Sequence, residues 1–236
     1  MKKYSHPWYV TYSYPILRFV FGLVIKPIWL KEVTGLEHIP AEGPAIIAFN
    51  HQSYLDFLTF IVVSPRPVHF LAAEKFFSHI VWAPLMKLSG QIKVERASKE
   101  KSMVHDAVRA HFIEGKIIGI FPEGTRAFDS VEMLHAFTGV AKYAVKEKVP
   151  VIPVGIKGAF EVMSRHDKVP KLKKAISIHV GHPIHFTEHH DTEVDEPTYR
   201  QLTDQIMLEL SRLSGKRYSH VGKMEHDKRE LQHIPK

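Results

Sequence analysis

Apolar residues along this chain fall into two kinds of pattern: short continuous runs, and longer stretches in which they recur every three or four positions. The runs occupy residues 33–39, 45–50, 68–73, 91–95, 117–122, 149–157 and 177–184. Several are rich in isoleucine and valine and apolar at consecutive positions, as in strands covered on both faces. The helical period spans 54–63, 76–88, 101–114, 135–146 and 197–213,. Strand and helix alternate, which predicts an α/β fold with a mixed, largely parallel sheet of about seven strands flanked by helices. The run at 149–157 carries Pro150 and Pro153. Proline cannot donate to a ladder, so this strand is expected at a sheet edge or at a bulge.

The first thirty residues break the alternation. Trp8 to Leu30 is mostly apolar but is interrupted by Arg18 and Lys26, with Pro15 and Pro27 inside it. A spanning helix needs roughly 20 apolar residues with few charges, and no small-residue cleavage site follows, as a secretory leader would require. The expectation is a pair of short helices lying in a membrane interface. Trp8, Phe19, Phe21 and Trp29 would enter it while Lys2, Lys3, Arg18 and Lys26 meet anionic head groups. The division that follows is an interfacial helical element at 1–32, a main domain at 33–215 and a polar tail at 216–236.

Charge narrows the partners. Lysine and arginine number 32 against 25 acidic residues, a formal net charge of +7, which favours an anionic partner,. No zinc finger, ribonucleoprotein motif or basic heptad region is present, so the reading is an anionic membrane surface or a phosphate-bearing substrate, with no nucleic acid. With no cysteine, thiol catalysis and thiolate metal sites are excluded,. His179, His182, His185, His189 and His190 read as a solvated edge and not as a zinc site, because Pro183 breaks the run; no metal is expected,.

Candidate chemistry lies where apolar runs end. The run 45–50 delivers His51 to its carboxyl end, followed by Gln-Ser-Tyr-Leu-Asp56. Ser53 reads as the cap of the next helix, with Asp56 in its first turn. Folding back, Asp56 would meet the imidazole and fix its tautomer, as a general base requires. One carboxylate oxygen could cap while the other meets the ring. The same spacing recurs at His190 and Asp195, where no apolar run precedes it. The run 117–122 ends in Glu123-Gly124-Thr125-Arg126: the glycine permits close backbone approach and the guanidinium suits phosphate oxygens. The run 91–95 ends in Glu95-Arg96.

The ordered set Asn50-His51-x-Ser53-x-x-Asp56, Glu95-Arg96, Phe121-Pro-Glu-Gly-Thr-Arg126 and Val149-Pro-Val-Ile-Pro-Val154 resembles the glycerolipid acyltransferase family. It is most similar to the bacterial lysophosphatidate (1-acyl-sn-glycerol-3-phosphate) acyltransferases. The resemblance covers about residues 33–185 and departs at Ala127, where a serine commonly follows the arginine. It implies His51 and Asp56 as the catalytic pair, with Arg96, Glu123, Gly124, Thr125 and Arg126 binding the glycerol phosphate. The implied reaction moves an acyl chain directly from acyl-CoA or acyl-carrier protein, with no other cofactor, to the sn-2 hydroxyl of a lysophospholipid. The enzyme would sit peripherally or monotopically on the cytoplasmic face of the cell membrane. Glycerol 3-phosphate or another lysophospholipid as acceptor, and a non-catalytic lipid-binding protein on the same scaffold, stand as alternatives. Oxyanion donors are sought near Gly124.

Overall fold

The computed structural model describes residues 9–80, 82–94 and 101–224. Seven strands form one sheet: β1 (Leu30–Thr34), β2 (Ala45–Phe49), β3 (Val68–Ala73), β4 (Ile92–Val94), β5 (Ile117–Ile120), β6 (Val151–Lys157) and β7 (Ile176–Val180), in the order β1-β7-β6-β2-β5-β3-β4. The pairs from β6 to β4 are parallel; β7 runs antiparallel to β6, and β1 runs parallel to β7. The helices are α1 (Tyr9–Ile28), α2 (Leu55–Val63), α3 (Lys75–Ser78), α4 (Trp82–Leu88), α5 (Lys101–Ile113), α6 (Gly139–Lys146), α7 (Ala159–Val162) and α8 (Glu196–Ser214).

Strand β2 is buried along its whole length because its alternate residues feed two cores. Ala45, Ile47 and Phe49 pack with Tyr14, Phe60 and Val62 from α1 and α2. Ile46 and Ala48 pack with Val140, Ile206 and Leu210 from α6 and α8 on the other face. Each fully buried aliphatic or aromatic side chain contributes roughly 1.5–3 kcal/mol through apolar surface removed from water. The two cores fix β2 rigidly, and its carboxyl end presents the segment that begins at Asn50.

Four expectations are corrected. Strand β6 is not an edge strand: it lies between β7 and β2. Its Pro153 is tolerated because the pairing to the β7 side is irregular there, as the bulge alternative expected: its carbonyl accepts from Gly181 N–H at 2.8 Å, and the pairing resumes one residue out of register at Val151 and Ile184,. The span 76–88 is not one helix but α3 and α4, and the helix expected from 135 begins only at Gly139. The first strand lies at 30–34, ahead of the expected 33–39, with a short 3-10 turn at Leu36–His38.

The N-terminal element is also different. It is one 20-residue helix with Pro15 and Pro27 inside, not a pair. An interior proline costs a helix about 3 kcal/mol, and tertiary contacts offset this. Val10, Tyr14 and Ile25 are buried, Tyr14 Oη accepts from Val68 N–H at 3.1 Å, and Ser13 Oγ donates to Leu88 carbonyl at 2.5 Å. Phe21 packs on the core, Arg18 donates to the Val62 carbonyl at the end of α2, and Trp29 donates from its indole to the Lys171 carbonyl. These three face the protein, whereas Tyr12, Ile16, Phe19, Val20, Leu23 and Val24 form an exposed apolar stripe. No helix among the described residues is long and apolar enough to cross a membrane. Lys2, Lys3 and Trp8 lie outside the described residues.

Candidate active site

The segment leaving β2 is stapled to its neighbours on both sides. Asn50 exchanges two hydrogen bonds with the backbone of Ile156 in β6, and Gln52 donates to the same carbonyl at 3.0 Å. Between them, the His51 backbone N–H donates to Glu123 Oε1 at 2.7 Å and its carbonyl accepts from Ala127 N–H at 2.8 Å. The strand exits of β2, β5 and β6 are therefore locked together with His51 at their centre.

The Asp56 carboxylate, fully buried, folds back onto this segment. Its Oδ2 accepts from His51 Nδ1 at 2.9 Å, from Gln52 N–H at 2.7 Å and from Ser53 N–H at 2.8 Å. One oxygen carries all three bonds, so the expected division of labour between the two oxygens does not hold, and Oδ1 has no hydrogen-bond partner. Ser53 caps α2 as expected, its hydroxyl accepting from Leu55 N–H at 3.2 Å, while Asp56 returns a bond to Ser53 N–H,. With Nδ1 donating to Asp56, the lone pair of the imidazole lies on Nε2, where it can accept a proton. The ring stacks on Phe121, centroids 4.1 Å apart, and its side chain is 16% exposed.

Glu123 sits behind this pair and not in front of it. Its side chain is buried, with Oε1 on His51 N–H and Oε2 on Leu134 N–H at 2.8 Å. This is a bracing position with no exposed carboxylate to meet a ligand, contrary to the substrate-binding expectation. Burial pushes its pKa up to about 8, against the two backbone donors and Lys216,. Lys216, from the stretch expected to be a polar tail, is itself buried: it donates to the Asp129 carbonyl at 3.1 Å, and burial lowers its pKa while Glu123 and Asp129 raise it. Arg217 pairs with Glu132, and Tyr218 is buried.

Gly124 adopts φ +67°, and a Cβ there would lie 2.7 Å from the Phe137 ring, so the turn into Arg126 requires glycine,. Its own N–H donates to the Phe121 carbonyl at 3.0 Å, so the oxyanion donor sought there is committed to the turn. Thr125 is nearly buried and lines the cleft. Arg126 lies over the Tyr54 ring at 3.7 Å,.

A second arginine, not singled out in the sequence, stands beside it. Arg165 donates to the Arg126 carbonyl at 3.2 Å and lies over the Phe128 ring at 4.4 Å. Burial first, and the Arg126 guanidinium next, lower its pKa. Two neighbouring guanidinium groups without a carboxylate partner among the described residues offer an anion-binding rim,. Arg96 lies outside the described residues.

His51, Tyr54, Thr125, Arg126 and Arg165 help line a cavity of about 640 Å³. Much of the same wall is apolar, with Phe70, Met86, Val104, Ile120 and Val140. The arrangement offers a proton acceptor, an anion rim and apolar wall around one space. The decoy pair does not meet: Asp195 caps α8 by accepting from Thr198 N–H at 2.9 Å, and His190 ends a short 3-10 turn.

The sequence family described as Acyltransferase matches residues 31–157, more than half of the 236. That range holds His51, Asp56 and Glu123–Arg126 but not Arg165. A 1-acyl-sn-glycerol-3-phosphate acyltransferase of Bacillus subtilis is 26% identical over 155 residues, spanning 65% of this chain and 73% of the relative. An uncharacterized protein of Mycobacterium tuberculosis is 26% identical over 254 residues, spanning 88% of this chain and 67% of the relative. The crystal structure of the 1-acyl-sn-glycerophosphate (LPA) acyltransferase PlsC from Thermotoga maritima matches with a TM-score of 0.66 over 88% of this chain and 80% of that one. At 19% identity this is a likeness of fold.

Proposed function

Because the chain belongs to the acyltransferase family, we propose that it transfers an acyl chain from a thioester to the free sn-2 hydroxyl of lysophosphatidate, giving phosphatidate. The observation that carries this reading is the 2.9 Å contact between His51 Nδ1 and Asp56 beside a cavity lined by His51, an arginine rim and apolar wall. His51 Nε2 takes the hydroxyl proton as that oxygen attacks the thioester carbonyl. The tetrahedral intermediate collapses, the C–S bond breaks, and the imidazolium returns the proton to the departing thiolate. Asp56 stabilises the imidazolium in between. No acyl-enzyme forms. The chain has no cysteine and no Gly-x-Ser-x-Gly elbow to supply a nucleophile,.

Arg126 and Arg165 hold the acceptor phosphate, so binding energy at that end orients the hydroxyl. The apolar wall receives an acyl chain. Acyl-CoA and acyl-carrier protein are both acidic thioester donors and suit the basic protein,. The exposed stripe of α1 supports attachment to an anionic membrane surface, peripherally or monotopically, since acceptor and product belong in the bilayer,.

The test is an assay of labelled acyl thioesters against a panel of lysophospholipids and glycerol 3-phosphate, using wild type and His51→Ala side by side. Acylation of lysophosphatidate by wild type alone is the expected result. Equal turnover by the variant would remove the general base, and preference for a neutral acceptor would remove the phosphate role of the arginines.

A further inference from the structure

The connection between β6 and β7 carries a feature that acyl transfer does not use. Residues 168–174 read Lys-Val-Pro-Lys-Leu-Lys-Lys. All four lysines are exposed, and so are the two bulky aliphatics between them: Val169 is 71% and Leu172 83% exposed. The loop is nonetheless internally fixed. Asp167 Oδ2 accepts from both Ser164 N–H and Ser164 Oγ at 2.8 Å, and Lys171 N–H donates to the Val162 carbonyl at 2.9 Å. Its backbone is also tied to the residue that follows α1. Trp29 donates from its indole to the Lys171 carbonyl at 2.8 Å, and its own carbonyl accepts from Ala175 and Ile176 N–H. Val169 and Leu172 are thus held out into solvent by an ordered backbone.

The topology places this loop at the catalytic edge of the sheet. Ser177 pairs with Lys157, the last residue of β6, so β7 begins where β2 and β6 end. Leu30 pairs with Ile176, so the carboxyl end of α1 arrives at the same edge. Arg165, at the loop's start, lines the cavity beside His51. We propose that residues 168–174 are a second lipid-contact element, which together with the apolar stripe of α1 seats the catalytic edge on a bilayer containing acidic head groups. This rests on the membrane-surface reading above and extends it to a segment far from α1 in sequence.

The chemistry selects a lipid surface over other polyanions. Aliphatic tips enter the acyl boundary while flanking lysines extend their stems and keep their ammonium groups among the head groups. A nucleic-acid surface would call for aromatic stacking platforms, and this loop has no aromatic residue,. The stripe of α1 supplies apolar area but little charge, and the loop supplies the charge. Lys26 and Lys31 stand between the two, both exposed.

The full chain is sedimented with vesicles of phosphatidylcholine alone and of equal parts phosphatidylcholine and phosphatidylglycerol. A lysine near an acidic surface is worth about fivefold in partitioning, so the variant K168Q/K171Q/K173Q/K174Q should bind the acidic vesicles several hundredfold more weakly, about six hundredfold if all four lysines act fully. It should keep the wild-type melting temperature and the wild-type turnover of a detergent-dispersed acceptor. Because the chain has no cysteine, Leu172→Cys carries a single polarity-sensitive fluorophore without interference. Its emission should shift to the blue on acidic vesicles, while the same label at Glu42→Cys, exposed at the opposite edge of the sheet, should not move. Wild-type binding by the lysine variant with a silent label at 172 would overturn the loop and leave α1 standing, which the variant I16D/F19D/L23D then checks separately. Wild-type protein that sediments with neither vesicle would overturn both.

Discussion

Two segments of the molecule place a histidine five residues ahead of an aspartate, at 51–56 and at 190–195. In the first, the histidine leaves a strand buried on both faces, its backbone N–H and carbonyl are both bonded, and the aspartate is wholly buried with three donors on one oxygen. In the second, the histidine ends an exposed 3-10 turn and the aspartate turns away to cap a helix. Spacing is common to both and decides nothing. The rigid strand exit and the buried brace turn the first pair into a device that can hold one tautomer at one point. The second is local helix chemistry.

The comparison breaks most sharply under truncation. His51→Ala should lower kcat/KM by about a thousandfold or more, within the range general bases contribute, whereas His190→Ala should leave it unchanged. Comparable losses in the two variants, measured in the acyl-transfer assay with melting temperatures in parallel, would mean that context does not matter. Asp56→Asn sharpens the point. The amide nitrogen would replace either the oxygen that accepts three donors or Oδ1, which faces no acceptor. It should cost roughly a hundredfold to ten-thousandfold in kcat by loss of the correct tautomer. A further 1–3 kcal/mol of stability should go with the buried unsatisfied group.

Arg165→Ala comes next. Loss of a charged hydrogen-bond donor to phosphate should raise the acceptor KM by about ten- to a hundredfold and move kcat less, with Arg165→Lys recovering part of it. A change confined to the donor KM would detach Arg165 from the acceptor site.

Much of this site is legible from the residues alone, and the exceptions share a cause. His51 and Arg126 announce themselves because each follows the end of an apolar run, and Asp56 because it opens the next helical stretch, so the local pattern already says where each sits. Arg165 and Lys216 do not, since they reach the site from residues 39 and 93 positions after Arg126 and Glu123 in the chain, through contacts that only the folded sheet creates. Glu123 is legible as a residue of the turn after β5, but a charged residue in a turn reads as exposed until the 134 loop is seen to cover it. Pro153 and Pro15 mislead for the same reason. Propensity is a local term, and in both cases tertiary contacts or an irregular strand pairing remove its cost.

Glu123 makes the dry side of the site testable by pH. Its folded pKa, about 8, lies above the ordinary value of 4.5, so the folded state holds the proton more tightly. The stability this group contributes is fully present below about 4.5 and is lost as pH rises through about 8,. Between these limits wild type should lose about 1.4 kcal/mol per pH unit relative to Glu123→Gln, one proton's worth. Denaturant midpoints at several pH values check this; parallel curves would mean that Glu123 is ionised in the folded protein.

The smallest effect belongs to the second pair and completes the contrast. Asp195 accepts from Thr198 N–H at the start of α8, whose buried Ile206, Met207 and Leu210 cover the sheet. Asp195→Ala should cost about 1 kcal/mol, the usual worth of an N-cap, and lower the melting temperature by about 2–4 °C for a chain of this size. Acyl transfer should be unaffected, because the carboxylate holds a helix end and touches no reacting group. The corresponding change at residue 56 removes activity far beyond its cost in stability. A melting loss at 195 without a kinetic one, set against a kinetic loss at 56, separates a carboxylate that builds a helix from one that positions a base.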